Sequence, residues 1–202
     1  MPVKNIVKSF DIPAHYHVYN RASGERQLFR DNTDREYFLY LVKRHLLPSL
    51  DESEPLYPTY DVEVVAYCLM GSHFHFLLYQ EVDRHEITRF MRSVSTAYSM
   101  YYNKKYKSMG HVFQSAFRAS RINNEAYLAH ISRYIHLNPR SYKTWKWSSY
   151  GNYIGVRDDE WVHPQRGKVE GMGMRQYIEF VGEYAETDRR KQHAAIKDLL
   201  AF

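Results

Sequence analysis

Two histidine pairs and one tyrosine–asparagine pair have the spacings that could do chemistry. His73 and His75 in "GSHFHFLLYQ", and His15 and His17 in "AHYHVYN", stand two residues apart, so on a strand each pair projects from one face. Two imidazoles on a rigid strand can share a divalent cation through their ring nitrogens. They can equally be structural side chains in a chain with 11 His. Farther on, His130, Tyr134 and Asn138 recur every four residues through "YIHLNP", which puts them on one face of a helix. A phenol and an amide one turn apart could supply a nucleophile and a further cation ligand. The plainer reading is an amphipathic helix whose Tyr127, Ile131 and Tyr134 pack on the body. Cys68, the only cysteine, lies in the apolar run "VVAYCLM" and excludes an internal disulfide or a multi-cysteine zinc site. A metal would have to be held by His, Asn and carboxylates.

Those residues need elements to position them. "AHYHVYN" reads as a strand. "TDREYFLYLVKRHLL" reads as a helix, with Thr33 and Glu36 at capping-box spacing, a stripe of Phe38, Leu41, Val42 and Leu46, and Pro48 as its stop. After an acidic, proline-bearing loop come two strand-like runs, "YDVEVVAYCLM" and "HFHFLLYQ", joined by Gly71-Ser72. From Asp83 the period is helical, with Ile87, Phe90, Met91, Val94, Tyr98 and Tyr101 on one side. Beyond Gly110, "HVFQSAFRASRI" reads as a last strand, followed by a helix capped at Asn123 or Asn124 and ended by Pro139. The order β-α-β-β-α-β predicts an α+β, ferredoxin-like split arrangement, an antiparallel sheet with both helices on one face and the other face open. Phe74, Phe76 and Leu78 then lie beneath the helices, and His73 and His75 face the open side. The tail predicts two more helices, "RQYIEFVGEYAE" and "TDRRKQHAAIKDLLAF", acting either as a cover for the core or as a docking or DNA-binding appendage.

A net charge of +5 and a pI near 9.1 suit a polyanionic partner. Basic residues interleave with aromatic ones in "YYNKKYK", "FRASR" and "SYKTWKWSSY", pairing phosphate-binding charge with rings on which unstacked bases can lie. Candidate nucleic-acid contacts are Arg21 and Arg26 beside the first strand, Lys104, Lys105 and Lys107 after the second helix, and Arg118 and Arg121 on the last strand. With 19 Tyr in the chain, the same segments can be ordinary solvated surface. No apolar run approaches the roughly 18 residues a membrane span needs, and "MPVKNIVKSFDIP" lacks a secretory apolar region. The expectation is a soluble cytoplasmic protein with no membrane partner.

"HVYNR", "GSHFHFLLY", "GHVFQSAFR", "YIHLNP" and "WKWSSY" occur in this order between about residues 14 and 155. In this the chain resembles single-tyrosine transposases of the HUH superfamily, and most of all their REP-associated (RAYT) branch. It departs from the branch after Pro139, where "RSYKTWKWSSY" replaces a Val-Arg-Ala-Gly-like run. The resemblance implies a transposase domain over residues 10–155 and a helical extension over 156–202. It implies His73 and His75 as ligands of Mg²⁺ or Mn²⁺, Asn138 as a further polar ligand, and Tyr134 as the nucleophile. The His15–His17 pair is then a decoy. The implied activity is metal-dependent cutting and rejoining of single-stranded or hairpin DNA through a 5′-phosphotyrosine, by a monomer or homodimer. Two alternatives are a catalytically silent ferredoxin-like nucleic-acid-binding module and a metallohydrolase that activates water.

Overall fold

Strict alternation of side chains builds the sheet. In the computed structural model, which describes residues 10–48, 55–168 and 170–185, the strands are β1 (Ala14–Arg21), β2 (Glu63–Leu69), β3 (His73–Gln80) and β4 (Arg118–Ile122). They form one antiparallel sheet in the order β2-β3-β1-β4, the arrangement that a split β-α-β-β-α-β chain adopts. Helices α1 (Asn32–Arg44) and α2 (Glu86–Tyr106) follow β1 and β3. On their side Tyr16, Val18, Phe74, Phe76 and Leu78 meet Phe38, Phe90, Val94 and Tyr98 in one buried cluster. Each such side chain contributes roughly 1.5–3 kcal/mol by leaving water.

The opposite face is not open. Helix α3 (Glu125–His136), the single turn α4 (Tyr150–Tyr153) and α5 (Met174–Ala185) close much of it with a second apolar cluster that includes Val65, Cys68, Leu77, Ile131, Ile135, Tyr153, Tyr177 and Val181. A register shift in β2 between Val64 and Ala66 helps to build that face. Val64 packs in the first cluster while Val65 and Ala66 both join the second, as a bulge permits. The early tail therefore covers the core: Tyr177 and Val181 are fully buried, Trp161 stacks on Tyr67 at 5.2 Å, and Val162 bridges to Val64. The helix expected beyond residue 186 lies outside the described residues.

Two local expectations are corrected. Helix α1 is capped by Asp31 and Asp34, in a reciprocal capping box, rather than by Thr33 and Glu36. Asp34 is drawn there because its buried carboxylate also receives Lys105 Nζ at 2.7 Å and the Tyr106 hydroxyl at 2.7 Å. Strand β4 begins at Arg118, not at His111. Val112 and Phe113 are both buried in the first cluster, and two successive inward side chains break strand alternation. The segment instead follows the end of β1 through an Ala22–Phe113 bridge and the Gln114 N–H donated to Arg21 O. Among the described residues no helix is long and apolar enough to cross a membrane.

Candidate active site

Antiparallel register decides what meets on the histidine face. Arg21 lies opposite His73, Tyr19 opposite His75, His17 opposite Leu77 and His15 opposite Tyr79. The rings of His73 and His75 are 5.1 Å apart and nearly perpendicular. His75 is only 6% exposed, flanked by Tyr19 at 5.8 Å and Tyr134 at 5.5 Å between ring centroids. His73, at the mouth of the strand, is bonded through Nδ1 to Ser72 Oγ at 3.1 Å.

Helix α3 crosses this face because Leu128, Ile131 and Ile135 seat it in the second cluster. The same seating turns Tyr134 toward the histidines. Asn138, just beyond the helix end, donates from Nδ2 to Tyr134 O at 3.0 Å, and its Oδ1 lies 3.5 Å from His73 Nε2. Thus Tyr134, Asn138, His73 and His75 converge, whereas His130 turns away to Arg133 and Phe180. Burial raises the Tyr134 phenol above its ordinary value, with Tyr19 adding to the rise and a hydrogen bond with the Asn138 side chain opposing it. The hydroxyl is therefore protonated at neutral pH.

Two imidazoles and an amide oxygen suit a borderline or hard divalent cation. Among the described residues no three His, Cys, Asp or Glu converge to hold a metal. The fit thus rests on the Asn138 oxygen, which its Nδ2 bond orients toward His73.

The seven basic residues do not form one patch. Arg21 and Arg118 line a recess of about 280 Å³ with Tyr19, Asn20, Gln114 and Ser115, next to the histidines. Arg21 Nε donates to Gln114 Oε1 there. Arg26 lines a separate recess with Arg30, Tyr102 and Tyr106, and Lys104 and Lys107 are exposed near the end of α2. Lys105 is held by Asp31 at 2.8 Å and Asp34 at 2.7 Å, so its charge is already paired, although the side chain remains partly exposed. Arg121 pairs with Asp11 at 2.5 Å. The aromatic side chains of "SYKTWKWSSY" also serve the fold. Tyr142, Trp147 and Tyr150 are buried, and Trp145 Nε1 donates to Leu69 O at 3.1 Å.

Two histidines that the motif reading passed over belong to the surroundings of the site. His17, expected to be part of a decoy, lies diagonal to His75 on the same face, with its Nε2 2.9 Å from His75 Nδ1. Burial lowers its pKa to about 3, which keeps it neutral. His15 sits two positions farther along, against Tyr79 at 4.7 Å. His136, inside "YIHLNP", faces away from Tyr134 and is clamped by Tyr177 Oη at 2.8 Å and Ser149 Oγ at 2.8 Å, which locks α3 to α5. Period-two spacing was the signal for His17, but it marked His15 equally.

The fold is similar to that of a REP-associated tyrosine transposase bound to a REP hairpin, with a TM-score of 0.59 at 14% identity over 80% of this chain and 98% of that one. A tRNA(His) guanylyltransferase from Saccharomyces cerevisiae superposes with a TM-score of 0.39 at 12% identity over 90% of this chain and 82% of that one, too low to inform the site. No curated protein sequence matches. Residues 13–138, from the start of β1 to Asn138, match the family model described as transposase IS200 like, and the chain belongs to that family.

Proposed function

We propose that this transposase-family protein is a metal-dependent single-strand DNA endonuclease and strand transferase of the REP-associated type, acting through a 5′-phosphotyrosine on Tyr134. The observation that carries the reading is the convergence of Tyr134 from α3 and Asn138 just beyond its end on His73 and His75 from β3. In this reading the transposase domain is residues 10–155 and the segment from 156 onward is an extension that includes α5, in a cytoplasmic protein.

His73, His75 and Asn138 would hold Mg²⁺ or Mn²⁺, which when bound neutralises charge on the phosphate oxygens as phosphorus becomes five-coordinate. Tyr134 supplies the attacking oxygen. Its O–P bond forms as the bond from phosphorus to the 3′-oxygen breaks, giving a 5′-phosphotyrosine and a free 3′-OH. The new ester conserves the bond energy, so a 3′-OH can attack it in turn, restore the phosphodiester and return the proton to the phenol. The half-buried, protonated phenol must lose its proton during attack, and the hydrogen bond with the Asn138 side chain favours the phenolate. Arg21 and Arg118 approach the strand's phosphates beside the site, and the recess they share with Tyr19 has room for an unstacked base. Lys104, Lys107 and Arg26 extend the positive surface toward a hairpin stem; Lys105 and Arg121 contribute less because carboxylates already hold them.

The test is incubation of single strands carrying REP-like hairpins with the protein and Mn²⁺, followed by denaturing electrophoresis. The expected result is cleavage leaving a free 3′-OH, abolished by a chelator and by His73→Ala. Salt-sensitive binding without any cleavage would replace the enzyme with a silent binding module. Cleavage without a protein-linked 5′ end would favour hydrolysis by water.

A further inference from the structure

The contact between His17 and His75 has consequences for how β3 presents its histidines. His17 is 1% exposed, its Nε2 lies 2.9 Å from His75 Nδ1, and the ring centroids are 5.1 Å apart with only 11° between their planes, the near-coplanar, edge-to-edge arrangement of an in-plane N–H···N bond. Tyr19, at 5.2 Å, and the edge of Tyr134, at 5.9 Å, close in around it. A hydrogen bond so enclosed holds the ring plane of His75 and decides which of its nitrogens carries the proton.

Two neutral imidazoles can share one bond in two ways. If His17 Nε2–H donates, His75 accepts on Nδ1 and carries its own proton on Nε2, which leaves no lone pair for a cation. If His75 Nδ1–H donates to His17 Nε2, the Nε2 lone pair of His75 is the ligating one. Each arrangement holds two protons, so the exchange needs no acid or base overall. In both, His17 Nδ1 is a buried atom with no hydrogen-bond partner among the described residues, a lone pair in the first and an N–H in the second, and burying the N–H is the costlier of the two. That desolvation cost has to be offset, and ligation of His75 offsets it.

We infer that His17 is a positioning residue for the metal site: it accepts the His75 Nδ1 proton and so fixes the tautomer and ring plane in which His75 Nε2 ligates a divalent cation. This rests on the proposed metal-dependent reading of His73, His75 and Asn138. His15 cannot replace His17, because the register sets it opposite Tyr79, beyond reach of His75.

Mn²⁺ binding measured by titration calorimetry or electron paramagnetic resonance tests this without DNA. His17→Leu should weaken Mn²⁺ affinity by about 10–100-fold, the usual effect of removing a ligand's hydrogen-bond partner. His17→Gln, whose Oε1 can take the place of Nε2 as acceptor, should recover most of that loss, and His15→Leu should bind as wild type. Should His17→Leu fold poorly, the wild-type protein decides: imidazole ¹⁵N spectra with saturating Mg²⁺ should show His75 protonated on Nδ1. Wild-type affinity in folded His17→Leu, or a His75 proton on Nε2 in the Mg²⁺ form, would overturn the inference alone. Failure of the wild type to bind either ion would overturn both it and the metal-dependent reading.

Discussion

The two faces of one four-stranded sheet make opposite uses of the same strands. Toward α1 and α2, β1 and β3 present Tyr16, Val18, Phe74, Phe76 and Leu78, which interlock with apolar helix side chains. Toward α3 they present His15, His17, Tyr19, His73 and His75 together with Leu77 and Tyr79. A one-residue slip of β3 would exchange the two sets, and the phenylalanines on the helix side make that slip costly. The apolar face therefore holds the histidines in place without touching them. The other face is divided. Leu77, Ile131, Ile135 and Tyr177 anchor α3, while the end nearest the Gly71-Ser72 turn carries the polar site.

Exchanging a side chain across this division separates stability from chemistry. The largest effect is expected for His75→Ala, which should lower the rate of DNA cleavage by about 10³-fold, the order lost with a transition-state electrostatic group, while thermal unfolding changes little. Phe76, the next residue and on the opposite face, should behave conversely. Phe76→Ala should cost about 3–5 kcal/mol in denaturant unfolding, yet the fraction still folded should cut at the wild-type rate. A stable Phe76→Ala, or a His75→Ala that mainly unfolds the protein, would dissolve the contrast.

A smaller effect tests the α1 cap. Burial pushes the Asp34 carboxyl up, but Lys105, Tyr106, the Arg30 N–H and Tyr101 together hold it below its ordinary value. Its contribution to stability is thus present above the unfolded-state pKa and lost as pH falls through the lower folded one. Asp34→Asn should cost about 2 kcal/mol at neutral pH, less than a wholly buried pair because Lys105 is 27% exposed. The difference from wild type should shrink as the solution is acidified below about pH 4; a gap that is constant with pH would remove the carboxylate from the account. The smallest effect separates neighbouring lysines. Lys104→Ala and Lys107→Ala should each reduce the salt dependence of DNA binding by about one phosphate contact. Lys105→Ala should leave that slope unchanged and lower stability instead.

What could be read in the sequence was what local periodicity determines. Strand β3 has the expected limits, His73 to Gln80, because its two faces differ in chemistry at every step. A four-residue spacing and a proline stop put Tyr134 and Asn138 on one face, but they marked His130 equally, and only the resemblance to single-tyrosine transposases singled the two out. The rest depended on partners distant in the chain. Asp31–Asp34 and Thr33–Glu36 have the same capping spacing, and the choice is made by Lys105 and Tyr106, some 70 residues later. Two H-x-H pairs looked alike until the β1–β3 register set His17, and not His15, against His75. "SYKTWKWSSY" has the composition of a base-stacking surface, but Trp147 and Tyr150 are buried, a distinction that composition cannot make. The face expected to be open is covered because Tyr177 and Val181, far beyond β3 in the chain, fold back on it.

The central claim, that Tyr134 is the nucleophile of a single-strand transferase, is tested most directly by mapping the covalent product. Wild-type protein incubated with a cleavable hairpin strand and Mn²⁺ would be digested with protease and nuclease, and the nucleotide-bearing peptide sequenced by mass spectrometry. The account predicts a single modified residue, Tyr134, in the peptide that carries "YIHLNP", and no adduct from Tyr134→Phe although that variant still binds the strand. An adduct on any other of the 19 tyrosines, or wild-type cleavage by Tyr134→Phe, would contradict it.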